Sequence, residues 1–408
     1  MEDVTGIAPA IVKKAAILCL LPLLVACSGA PDAAHELVSQ DSLSGFLADL
    51  TSIQPYSGWR NSATEGEAEA LDYVAAKLGD LTYLQGLGLE LERQSFLVFN
   101  STELWETRLR LTVGGQEVEV PADSMRGNRD DNALALRFDS DGNPNDSERN
   151  PVVVAGPIVL VRSAADIDSL AGTDLTDSIL FVDYAVADSI LLRSGERADE
   201  LAAQVLALQP AGLVLVTTFS NQTNESHGAF VGDTSGFTRV PATPQATVCP
   251  ILYTRLEDLA PAGIAGGWDG LAQVEAARLT WDLDVFSPGA SQNLIGRIPG
   301  DDASQAVILG AHIDSPNSPG ALDDGSGSAV LLEVARVLDA AKAQPPVDLY
   351  LAWFGSHEIG LYGSSHFIAT HQELLDRTLA MLQVDCLTRP IDGAKAEITL
   401  KSWPYGLL

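Results

Sequence analysis

Regular patterning starts near residue 64. In "TEGEAEALDYVAAKLGDL" (64–81), apolar side chains recur at Ala68, Leu71, Val74, Ala75 and Leu78. That spacing is helical, and Thr64 with Glu67 forms a capping-box pattern at its start. "LELERQSFLVF" (89–99) alternates as a half-buried strand does, and "LRLTVGGQEVEV" reads as a hairpin around Gly114–Gly115. The runs "GPIVLV" (156–161), "DSILFVDY" (177–184) and "AGLVLVTT" (211–218) are short and β-like, around one helical segment, "ERADELAAQVLALQP" (196–210). They predict a self-contained small β-sandwich or barrel. "FSPGASQNLIGRIPG" then returns the chain to another layer. There "QAVILGAHID" (305–314) and "VDLYLAWFG" (347–355) are continuous apolar runs of the kind buried on both faces of an α/β sheet. Between them "SGSAVLLEVARVLDAA" (326–341) has helical spacing, which predicts a right-handed strand–helix–strand crossover.

In such sheets ligands gather at the carboxyl ends of the strands. His312 with Asp314, Asp323, and His357 with Glu358 all fall at or just beyond such ends. So does Asp385, which ends the apolar run "LAMLQVDC" (379–386). A lone histidine is ordinarily a satisfied polar residue, and an aspartate at a helix start is ordinarily a cap. Together these nitrogen and oxygen donors suit zinc, and a carboxylate can bridge two ions about 3.5–4 Å apart.

The blocks "GAHIDSPNSPGALDDGSGSAVLLEVAR", "HEIGLYGS" and "VD" resemble the di-zinc aminopeptidase family, whose relatives include aminopeptidase Y and glutamate carboxypeptidase. The resemblance covers roughly 50–98 and 286–408. It implies a three-layer α/β/α zinc-exopeptidase domain with a mixed sheet. Residues 46–99 and 286–408 would form that domain. Residues 100–285 would form an inserted β-rich module similar to the protease-associated domain. His312 and Asp385 would bind one zinc, Glu358 the other, and Asp323 would bridge both through a residue whose peptide bond to Asp324 is cis. Asp314 would orient the His312 imidazole. His357 occupies the slot in which the family places a glutamate general base, and a neutral imidazole can accept a proton near neutral pH. The family's distal histidine has no counterpart before Leu408, because His366 and His371 fall on a helix leading away. The expectation is a C-terminally truncated member with weak second-site zinc binding, impaired folding and little activity. The implied function is a zinc metallopeptidase acting on peptides, foremost an aminopeptidase. A carboxypeptidase, a glutaminyl cyclase-like acyltransferase and a non-catalytic receptor-like relative stay open.

Composition narrows the setting. The 408 residues carry a net charge of −31, which excludes a nucleic-acid partner, since phosphate binding needs a basic face. Lysines number only six, and an acidic, lysine-poor surface suits a salt-exposed protein. Lys13 and Lys14 precede "AAILCLLPLLVA" (15–26), too short to span a bilayer but suited to the core of a signal peptide. "LVAC" resembles a bacterial lipobox, which would make Cys27, the end of a lipoprotein signal segment over 1–27, the lipidated N-terminus once the residues before it are removed. Residues 28–45 would be a tether, and the protein would be exported and anchored at the cell envelope. Cys19 leaves with the signal, so Cys249 and Cys386 remain and imply no disulfide framework. The acidic run "DSDGNPND" has its glycine misplaced for a calcium loop and reads as a solvated turn.

Overall fold

The computed structural model describes residues 34–55, 57–99, 101–124, 145, 148–183, 208–217, 250–315 and 318–387. The expectations for Cys27, the signal segment, the helix over 196–207 and nearly all of the acidic run lie outside them. Strand β1 (Glu90–Val98) precedes β2 (Ser101–Val113), β3 (Gln116–Val120), β4 (Asp123–Ser124), β5 (Val152–Val161) and β6 (Ile179–Asp183). Then follow β7 (Gly212–Thr217), β8 (Ile251–Arg255), β9 (Ala276–Phe286) and β10 (Gly289–Ile298). The last described strands are β11 (Asp302–His312), β12 (Val347–Phe354) and β13 (Thr378–Gln383).

One sheet has the order β1-β10-β12-β11-β13, with β12, β11 and β13 parallel and the other pairs antiparallel. Its apolar residues divide between two faces. Leu294, Leu309, Leu349, Leu351 and Trp353 meet helices α1 (Gln40–Thr51), α2 (Glu65–Gly79) and α3 (Ser326–Ala341). On the opposite face Ile295, Ile308, Ala352 and Phe354 meet Phe367 of α4 (Tyr362–Thr370). The continuous apolar runs of β11 and β12 are thus explained: every position faces a helix layer. The sheet is mixed and the architecture is α/β, as the resemblance implies.

The second sheet has the order β3-β2-β9-β5-β6-β7-β8-β4 and its own core, including Phe181, Leu279, Trp281 and Leu283. Gly114 and Gly115 turn the β2–β3 hairpin with φ of 57° and 73°, values only glycine adopts freely. Where a small β-sandwich or barrel was expected, the described strands form one hydrogen-bonded mixed sheet in which β5, β6, β7 and β8 run parallel, curled so that β2 lies near β4. The two sheets meet where β1 passes into β2 and β9 into β10, and Val98 stands opposite Gly289 in the β1–β10 ladder.

The expected tether is also corrected for residues 34–45. Ala34, Val38 and Leu43 are buried in the core, Ser39 caps α1, and the Ser39 N–H donates to Glu333 Oε1 at 2.6 Å. Small and polar residues here hide an amphipathic edge: Ala34, Val38 and Leu43 turn inward while Leu37 stays exposed.

A buried carboxylate joins the sheets. Glu103 of β2 accepts the Glu65 N–H, at the start of α2, at 2.6 Å. Burial pushes the Glu103 carboxyl up to about 7, the Glu65 and Asp284 charges adding to it. A raised carboxyl favours the folded state below its unfolded pKa and loses that contribution as pH rises through its folded value. Between pH 4.5 and 7 the folded protein is therefore expected to lose up to about 3 kcal/mol through this group. Melting temperatures measured across that range should fall less steeply in Glu103→Gln, which keeps an acceptor without the titration.

Candidate metal centre

Parallel strands β11, β12 and β13 end at one rim of the first sheet. His312 is the last residue of β11 and is fully buried. Its Nε2 lies 2.9 Å from Asp323 Oδ1 and 3.7 Å from Asp385 Oδ1, and its Nδ1 faces the Asp314 carbonyl at 3.0 Å. Burial alone would lower the His312 pKa, but Asp314, Asp323 and Asp385 outweigh it and raise it well above the usual value. The carboxylates thus favour a positive charge at this point, as a cation would supply.

Asp323 and Asp324, adjacent in sequence, diverge in role. Their shared peptide bond is cis, as the resemblance implies. Asp323 faces His312, whereas Asp324 is fully buried and accepts the His312 and Gly327 N–H groups at 3.1 and 2.8 Å. A side chain at Gly327 would collide with both Asp324 carboxylate oxygens and with the Val384 carbonyl. Asp324 therefore holds the first turn of α3 through the Gly327 N–H, much as sequence logic assigns a capping aspartate, while Asp323 turns to His312.

Beyond β12, Asp314 accepts the N–H groups of both His357 and Glu358 at 3.0 Å, and the Ser62 hydroxyl at 2.6 Å. Burial opposes its ionisation, yet the His312 imidazole, Ser62 and the Glu358 N–H hold the Asp314 carboxyl below the usual range. The His357 ring stacks on His312 with centroids 4.0 Å apart and planes 6° from parallel. Burial, and then the His312 charge, lowers its pKa.

Among the described residues, ligand-type atoms lie within 4.8 Å of one another in three groups: His312, Asp323 and Glu358; His312, His357 and Asp385; and Asp323, Asp385 and Cys386. Asp385 Oδ1 is buried and makes no hydrogen bond. An imidazole among three carboxylates, one with an unengaged buried oxygen, fits a zinc-type cation. All six expected site residues thus sit together. His366 and His371 do not join them: His366 stacks on Phe96, and His371 faces Glu92 Oε2 at 3.3 Å.

Several supporting residues escaped the sequence reading. Arg60, fully buried, donates to the carbonyls of Leu50, Ile313, Pro319 and Gly320 at 2.8–3.0 Å. Burial lowers its pKa to about 10 against the opposing pull of Asp314 and Asp324. Arg60→Ala would strand those carbonyls, and a loss of about 3 kcal/mol or more is expected in the denaturation midpoint. Cys386 stands at the rim, where its neighbour Asp385 was expected alone. Glu67 also departs from expectation. Thr64 does accept the Glu67 N–H, but the buried Glu67 carboxyl reaches past the cap to the Ser291 hydroxyl and the Ser356 N–H. Nothing in "TEGE" distinguishes a capping glutamate from a buried one.

Residues 293–402 match the model of Peptidase family M28. Leupeptin-inactivating enzyme 1 of Streptomyces exfoliatus is 40% identical over 99 residues, covering 24% of this chain and 23% of that protein. Aminopeptidase YwaD of Bacillus subtilis (strain 168) is 41% identical over 103 residues, 24% of this chain and 22% of that protein. The chain thus spans about a quarter of the length of these curated relatives. Among solved structures, a zinc aminopeptidase from Bacillus subtilis is 20% identical, with a TM-score of 0.45 over 86% of this chain and 70% of that one. The region from 293 to 402, which supplies every candidate ligand, is thus the part of the chain that is similar to peptidase family M28.

Proposed function

We propose that the protein is a zinc-dependent exopeptidase, foremost an aminopeptidase that removes N-terminal residues from peptides. One observation carries the reading: His312 shares a ligand-distance group with Asp323 and Glu358 and another with His357 and Asp385, at the rim formed by three parallel strand ends. The names of the relatives, aminopeptidases among them, support it. His312, Asp323, Glu358 and Asp385 would hold the metal, two ions being the expectation. Zinc bound there supplies Lewis acidity and a water ionised near neutral pH. Asp314 fixes the His312 ring and, through two N–H groups, the turn of His357 and Glu358. The His357 imidazole takes a proton from the attacking water and returns it to the departing amine. The second sheet, within the span 100–285, is assigned the part of a protease-associated module, and Cys27 that of a lipid anchor at the bacterial envelope.

The test is hydrolysis of aminoacyl-anilides with and without a chelator. Chelator-sensitive release of amine is expected, restored by zinc. Cyclisation of an N-terminal glutamine would instead identify an acyltransferase, and neither product would identify a non-catalytic relative.

A further inference from the structure

We propose that Glu67 is a positioning residue for the turn that carries His357 and Glu358. The inference deepens the peptidase reading and rests on it for its consequence, though not for its geometry. Glu67 lies in the first turn of α2, only 2% exposed, and accepts the Ser291 hydroxyl at 2.5 Å and the Ser356 N–H at 2.7 Å. The Ser356 hydroxyl approaches the same oxygen at 3.4 Å. Asp314 takes the next two backbone N–H groups, of His357 and Glu358. Three successive N–H groups of one turn are thus bound by two buried carboxylates from distant parts of the chain.

The turn needs such holding. Ser356 has a φ of 50°, a left-handed conformation that a residue with a side chain adopts at a cost. Gly355 before it has no room for a side chain, since one would meet the Gln292 carbonyl, Ser291 Oγ and Glu67 Oε1. The backbone is therefore pressed against β10 and then forced through a strained residue, and Glu67 fixes both sides through Ser291 and Ser356. Helix packing gives no reason for a carboxyl group here, because burying one is costly and an aliphatic residue would fill the space. Its geometry is accounted for by the turn.

The experiment compares Glu67→Gln, Glu67→Ala and Ser291→Ala in the full chain, by amide hydrogen exchange of residues 355–363 and by zinc affinity in competition with a chelator. In Glu67→Ala, exchange at Ser356, His357 and Glu358 should quicken about tenfold or more, and zinc affinity should fall about 10- to 100-fold; Glu67→Gln, which keeps an oxygen for the Ser356 N–H and an amide that can donate to Ser291, should stay within about twofold of the wild type. Ser291→Ala, which leaves the Ser356 bond intact, should change neither by more than about twofold. Adding Ser356→Gly to Glu67→Ala should recover part of the zinc affinity, because glycine adopts positive φ freely; a packing role alone would give no recovery. Should Glu67→Ala fail to fold, Glu67→Met, which fills the space without accepting the Ser356 N–H, decides by the same measurement. Unchanged exchange in the folded variant that lacks the acceptor overturns the proposal. Absence of zinc binding in the wild type would sink the peptidase reading, while exchange would still decide the role of Glu67.

Discussion

Replacing His357 with alanine is expected to lower kcat about 10²- to 10⁴-fold, the usual contribution of a positioned general base, while leaving the bound zinc in place. The geometry makes the two halves of this expectation separable. His357 and His312 have nearly parallel rings, 6° apart with centroids 4.0 Å from each other. The lone pair of an imidazole nitrogen lies in the plane of its ring. Two parallel planes share no point, so one ion cannot lie along both lone pairs unless a ring turns. The stack therefore favours proton duty for His357 over joint ligation with His312. Metal content by atomic emission and steady-state kinetics on the same preparation check this. A variant that loses zinc and activity together would make His357 a ligand. Glutamate at this position matches the slot of the resembling family, and His357→Glu is expected to retain far more activity than alanine.

His312→Ala is expected to have a still larger effect, with no chelator-sensitive hydrolysis left and zinc affinity reduced by more than about 100-fold. No other described residue reaches so many members of the site. Its ring meets Asp323 and Asp385, its N–H meets Asp324, and its carbonyl accepts the Ser328 hydroxyl from the first turn of α3. Its removal also leaves Asp314, Asp323 and Asp385 repelling one another around a buried space. Zinc titration followed by calorimetry should show the lost affinity, and a melting curve of the metal-free variant should show the repulsion. Near-wild-type zinc binding in His312→Ala would place the metal elsewhere.

The parts of this arrangement that were legible in the sequence are those encoded locally. The runs of β11 and β12 announce buried strands because each residue's neighbours are enough to set the period. His312, Asp323 and Glu358 follow from their positions just past those runs. The supports were not legible, because each reaches across more than 250 residues. Arg60 meets Ile313, Ser62 meets Asp314, and Glu67 meets Ser356 only after the sheet has formed. Glu67 was concealed further by looking like a helix cap. Residues 34–45 misled for a related reason: their three buried apolar groups are too sparse for a period, and only the docking of Ser39 on Glu333 makes them part of the core. In the second sheet, short apolar runs carry no mark of direction, so the parallel pairing of β5 to β8 had to await the fold.

The opposition of Val98 and Gly289 has a practical consequence. Those two residues end β1 and begin β10, so the whole second sheet enters and leaves through one rung of an antiparallel ladder. A two-residue Asn-Gly link between them would close an ordinary hairpin. The strands of the first sheet could then be produced as a shortened protein, in which substrate range and solubility can be compared with and without the excised half. Such a graft would forfeit the Glu103 contact at the head of α2. Any change in the turnover of the shortened protein would therefore measure how far the excised half reaches into the chemistry.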